Sequence, residues 1–170
     1  MPFKRGSRDE SLESGAAARV AAALRSLDPF SFWIVPTHDP APGVLFVVGT
    51  TGAFLVAPCG LSGVVNFGMT GADVDGRAVP VRGLKRASKS LEATLVARSV
   101  STSVEPLVCF TEAMMGAAVT NRSVRFVAVS DLVSDIARHS ATVERARAQR
   151  AARVLGMQIE GDERRHFAVG

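Results

Sequence analysis

Hydrophobic positions change period several times along the chain, and each change marks an element. Leu12, Ala16, Val20, Ala23, Leu24 and Leu27 recur at spacings of three and four, which predicts a helix from Glu10 to Leu27. Ser7 or Ser11 is placed to cap it and Asp28-Pro29 to end it, with Arg19 and Arg25 toward solvent. Phe30–Val35 is an aromatic and β-branched run that stops at Pro36 and reads as a strand. From Gly43 to Ser62 no charged residue occurs. Leu45–Val48 and Ala53–Val56 flank Gly49-Thr50-Thr51-Gly52, the composition of a β-hairpin. Their weak alternation is that of strands covered on both faces.

Further along, Val64–Phe67 predicts a strand, Met69–Gly76 a turn with two aspartates, and Arg77–Val81 a short strand. Leu84, Ala87, Leu91 and Leu95 make the apolar stripe of a helix over Leu84–Arg98. Val104–Phe110 reads as a strand whose Pro106 marks an edge or a strand beginning. Thr111–Thr120 reads as a loop with a helical turn, and Val124–Val129 as a strand. Ser130 is placed to cap a short helix over Asp131–Arg138, and Thr142–Leu155 predicts a last helix stopped by Gly156. An antiparallel meander followed by strand–helix–strand crossovers predicts an α/β fold, a mixed central β-sheet flanked by helices in αβββαβαβ-type order.

Composition narrows this picture. The chain of 170 residues is 47% hydrophobic, enough for one domain with a real core. No apolar run reaches the length of a membrane span, and acidic residues follow the basic start where a secretory leader needs its apolar segment; the expectation is a cytoplasmic protein without membrane contact. Cys59 and Cys109 lie in apolar runs without CxxC spacing, so they read as buried reduced thiols, and no metal site or cofactor is expected.

The order of motifs is similar to the restriction-endonuclease-like fold and resembles more closely the nuclease-related domain, NERD. The residues that carry the likeness are Gly52-Ala53-Phe54-Leu55-Val56-Ala57-Pro58-Cys59, Gly63-Val64-Val65, Asp75-Gly76, the Leu84–Arg98 helix, Val104–Phe110 and Val124–Leu132. On this resemblance the chain divides into a flexible arm over 1–9, a nuclease-related-like domain over 10–139, a helix over 140–156 and a tail over 157–170. Such nucleases hold Mg²⁺ with carboxylates and steady the charge with a lysine. The resemblance places the family's Glu-x-Lys on Ala57-Pro58-Cys59, its aspartate near Gly43 or Val44, and its helical glutamate near Ala16–Ala18. None of these can ligate magnesium, so the implied catalytic site is degenerate.

Asp39 and Asp73 are the substitute carboxylates to weigh, against their plainer role as solvated loop residues; Glu10 and Glu13 lie early in the first helix. His38 as a general base and Cys59 as a nucleophile face the same plain alternative, an exposed histidine and a core thiol. The net charge is +4, and the basic residues cluster: Arg77, Arg82, Lys85, Arg86 and Lys89, then Arg145, Arg147, Arg150 and Arg153. Lys85, Arg86, Lys89 and the four later arginines are candidate nucleic-acid contacts, although four arginines spread around a helix also describe a solvated one. Three functions follow: a catalytically degenerate nuclease-like binding module for nucleic acid or protein, an adaptor that pairs with a protein partner or itself, and a nuclease with relocated carboxylates.

Overall fold

The hairpin predicted at the centre of the chain lies inside the sheet. In the computed structural model, which describes residues 6–37, 39–140 and 142–167, with side chains from 13 to 156, β2 (Leu45–Gly49) pairs antiparallel with β3 (Gly52–Gly68). β1 (Phe32–Pro36) extends the meander on one side. On the other side β6 (Val104–Met114) lies parallel to β3 and β8 (Val124–Ala128) parallel to β6. β7 (Val119–Asn121) closes that edge antiparallel to β8. The order β1-β2-β3-β6-β8-β7 is that of a mixed sheet.

Helices cover both faces. α1 (Gly6–Leu24) and α3 (Leu132–Ala137) lie on one, where Val20, Leu24 and Ile136 pack with Val47, Phe54, Val56, Leu107 and Cys109. α2 (Arg82–Ala97) and α4 (Arg145–Phe167) lie on the other, where Leu84, Ala87 and Leu95 of α2 and Ala148, Ala151, Ala152 and Leu155 of α4 join Phe46, Val48, Leu55 and Val108. Residues 53 and 55 face one layer and 54 and 56 the other, as the two-residue period of a strand requires. Both layers are apolar, which accounts for the weak alternation of the hairpin.

β3 is the unusual element. Seventeen residues exceed the common strand length, and the register with β6 shifts between Cys59 and Ser62. Beyond that bulge β3 pairs with β4 (Gly71–Val74), which pairs with β5 (Arg77–Ala78). The strand curls until Phe67 meets the edge of Phe126 on β8, ring centroids 5.3 Å apart. Asn121 and Arg122, at the β7–β8 turn, donate to the carbonyls of Gly68 and Met69 at the tip. The segment predicted as a separate strand at Val64–Phe67 is thus the continuation of β3, and the turn predicted over Met69–Gly76 contains β4.

Other elements differ from expectation for identifiable reasons. Pro106 marks a strand beginning rather than an edge: β6 is central, but its pairing with β8 starts only at Leu107. Residues 111–114 extend β6 instead of forming a loop, since β3 is long enough to pair with them. α1 begins at Gly6, inside the predicted arm, and ends at Leu24; Asp28 then organises the exit, accepting from the Phe30 amide and the Ser31 hydroxyl. α3 is entered through Asp131, whose side chain makes no capping bond, and Ser130 does not serve as its cap. α4 passes through Gly156 to Phe167, because one glycine costs a helix only about 1 kcal/mol.

Candidate functional site

The three stretches singled out by the nuclease resemblance converge in space. Gly43 has φ +84°, and a Cβ built on it would stand 2.7 Å from the Cβ of Ala17 on α1 and 3.9 Å from Cγ of Pro58 on β3. A side chain of any kind is excluded at Gly43 by its backbone and by Ala17 together. The sheet's alternation separates the rest: Ala57 and Cys59 pack with the α2–α4 layer, while Pro58 lies toward α1. A divalent cation needs several oxygen ligands. Methyl, methylene and thiol groups supply none, so magnesium does not fit these residues. Among the described residues no three His, Cys, Asp or Glu side chains gather closely enough to hold a metal.

Neither substitute carboxylate joins this region as a ligand. Asp73 on β4 accepts from the Gly76 amide and from Nδ2 of Asn66, which holds the β4–β5 turn. Asp39 sits exposed in the β1–β2 loop, where its carbonyl accepts from the Thr37 hydroxyl. His38 lies outside the described residues. Glu13 does approach: with Arg77 of β5 it lines a cavity of about 330 Å³ whose walls include Ala57, Pro58, Cys59, Leu61 and Val79.

Cys59 is an unactivated thiol. Burial pushes its pKa up and the Glu13 carboxylate adds to this, against the opposing effects of a hydrogen bond with the Leu61 backbone and of Arg77. Burial pushes Cys109 up to about 12, with a smaller contribution from Cys59. The two thiols belong to opposite faces of the sheet and are unbonded. The unfolded chain ionises near the ordinary value of 9.0, whereas folded Cys109 keeps its proton to about 12. Folding stability therefore falls as pH rises through that window, and the stabilising difference is fully present only below it. Cys109→Ala is expected to flatten part of this alkaline decline in denaturant titrations. At pH 8 both thiols should react with a charged disulfide reagent far more slowly than after unfolding.

A second cleft, of about 600 Å³, opens where β3 and β6 begin, between α2 and α4. His139, a residue that sequence reasoning passed over, stands in its wall. Nε2 is 2.6 Å from the Glu105 carboxylate, Nδ1 is 3.2 Å from the Thr51 carbonyl, and the ring meets the edge of Phe54. With both nitrogens engaged, the imidazole ties the end of α3 to the hairpin turn and β6 rather than offering a base to a substrate. Arg125 and Asp135 form a similar tie between β8 and α3, and the carboxylate raises the arginine's pKa. The partners lie 34 and 10 residues apart, and no local spacing announces either pair.

The basic candidates are brought into one layer. On α2, Arg82, Arg86 and Lys89 are exposed at spacings of four and three, a stripe opposite buried Leu84, Ala87 and Leu95. On α4, Arg145, Arg147, Arg150 and Arg153 are all exposed, while Ala148, Ala151, Ala152 and Leu155 are buried. Three are partly engaged: Lys85 donates to the Arg122 carbonyl, Lys89 pairs with Glu92 at 2.8 Å, and Arg147 reaches the Ser101 carbonyl. Residues 82–98 and 144–156 carry nine basic and two acidic side chains, a balance of +7 in a chain of +4. The cations thus concentrate on one side of the molecule. No helix among the described residues is long and apolar enough to cross a membrane. Comparison with family models, curated proteins and solved structures finds nothing that matches this chain.

Proposed function

We propose that the protein is a nuclease-like scaffold without a working metal centre, and that it acts by binding nucleic acid through the α2–α4 layer. The observation that carries this reading is the excess of basic residues, +7 over residues 82–98 and 144–156, on two helices whose inner stripes are committed to the core. A phosphate backbone is the complementary partner, because each cation that replaces a condensed counterion contributes to affinity without reading a base. The meeting of Ala17, Gly43 and Pro58 supports the loss of catalysis, since the positions the resemblance assigns to ligands are filled by groups that cannot ligate.

The test combines cleavage and binding. Single- and double-stranded DNA and RNA are incubated with the protein in Mg²⁺ or Mn²⁺, and retention is measured at several salt concentrations in parallel. The expected result is intact nucleic acid, with binding that weakens steeply as salt rises. Metal-dependent cutting abolished by Asp39→Ala or Asp73→Ala would overturn the reading in favour of relocated carboxylates. No retention at any salt would overturn it in favour of an adaptor that ignores nucleic acid, and salt-insensitive retention would overturn the basic α2–α4 layer as the contact.

A further inference from the structure

The cavity beside Cys59 is a different object from the basic layer. Most of its walls are apolar: Ala57, Pro58, Leu61, Val79, Pro80 and Val108. Two charged groups line it, the Glu13 carboxylate from α1 and the Arg77 guanidinium from β5. Both are exposed, and neither has a hydrogen bond or ion pair with another side chain among the described residues. Both are near enough to act on the Cys59 sulfur, in opposite senses. The cavity thus combines a small apolar chamber, one unpaired anion and one unpaired cation. A volume of about 330 Å³ lies at the small end of ligand pockets.

We propose that this cavity binds a small zwitterion with an apolar body, of the class of free aliphatic α-amino acids. The ammonium pairs with Glu13, the carboxylate pairs with Arg77, and the hydrocarbon side chain lies against Leu61, Val79 and Val108. A ligand with one charge satisfies half of the pair, and a neutral one neither half. Separate elements hold the two charged groups, and nothing within the described protein neutralises them, so a ligand carrying both signs gains at each end. The protonated, half-buried thiol of Cys59 completes the apolar wall and takes no chemical part. This inference goes beyond the binding function above and stands independently of it, because no residue of the cavity belongs to α2 or α4.

The test is titration calorimetry on the full chain with four probes. L-leucine carries both charges and the apolar body. Isoamylamine lacks the carboxylate, 4-methylpentanoate lacks the ammonium, and glycine lacks the hydrocarbon. Leucine is expected to saturate below about 10 mM, and each of the other probes to bind about tenfold more weakly or worse. Glu13→Gln should erase the advantage of leucine over 4-methylpentanoate, and Arg77→Gln its advantage over isoamylamine; both positions are exposed, so both variants should fold. As a second measurement, saturating leucine should slow alkylation of Cys59 by iodoacetamide and leave Cys109 unchanged. The proposal is overturned if leucine gives no heat, if isoamylamine or 4-methylpentanoate binds as well as leucine, or if the two variants leave the ranking intact. The nucleic-acid assay on the same preparations reports separately whether the α2–α4 layer works.

Discussion

Phe126→Ala is expected to cost about 3–5 kcal/mol, a large share of the net stability of a single domain. Phe126 is 1% exposed and stands where two structural units join. It stacks on Phe110 of the neighbouring parallel strand, centroids 6.2 Å apart, and receives the edge of Phe67 from the far end of curled β3. Truncation leaves a cavity between them and forfeits both aromatic pairs. With a shift of about 2–4 °C per kcal/mol in a domain of this size, the thermal midpoint should drop by about 6–20 °C. The exposed apolar residue Met114 provides a control, and Met114→Ala should move stability by less than about 0.5 kcal/mol. Phe67→Ala should also destabilise. A Phe126→Ala midpoint within a few degrees of the parent would mean that β3 does not cross to β8. The effect also reaches function, because the same curl carries β4 and β5 back to place Arg77 beside Cys59; the variant should lose binding in that cavity even where it remains folded.

The parts of this architecture that sequence exposes are those built from neighbours in the chain. The β2–β3 hairpin follows from two apolar runs and a glycine-bounded turn, and α2 from the stripe of Leu84, Ala87, Leu91 and Leu95. Long-range features escape the same reasoning. Residues 111–114 carry no strong strand pattern, and they are extended only because β3 is there to pair with them. The length of β3 is itself hidden, since Gly60 and Gly63 look like the end of a strand when they accompany a bulge within one. Helix ends misled because the termination signals are weak: Gly156 costs little, and Ser130 lies one residue too early. The site shows the same division. Ala17, Gly43 and Pro58 fall in stretches that the resemblance singles out and lie together, whereas the placement of Glu13 and Arg77 around one apolar cavity depends on the curl of β3.

Reversing three charges at once, Arg86→Glu, Arg150→Glu and Arg153→Glu, is expected to abolish nucleic-acid retention at moderate salt while leaving the fold intact. These positions are chosen because none bonds to the protein's own groups among the described residues: Arg86 lies mid-stripe on α2, and Arg150 and Arg153 lie on the side of α4 away from its buried alanines. Lys85 and Lys89 are poorer choices, because Lys85 holds the Arg122 carbonyl and Lys89 pairs with Glu92. Each lost phosphate contact should reduce the slope of log affinity against log salt by about 0.9, so removing three should flatten it by about 2.7. Charge reversal adds repulsion to the loss of attraction, and the combined fall at low salt should reach about a thousandfold. Arg25→Glu, just after α1, and Arg138→Glu, just after α3, lie on the other side of the sheet and provide the control for net charge, compared per charge reversed. If they weaken binding as much as the α2–α4 reversals, the partner responds to overall charge and the proposed face has no special role. If only the α2–α4 set does so, and the thermal midpoint is unchanged, affinity resides on two helices whose inner faces hold the fold together while their outer faces remain free to engage phosphate.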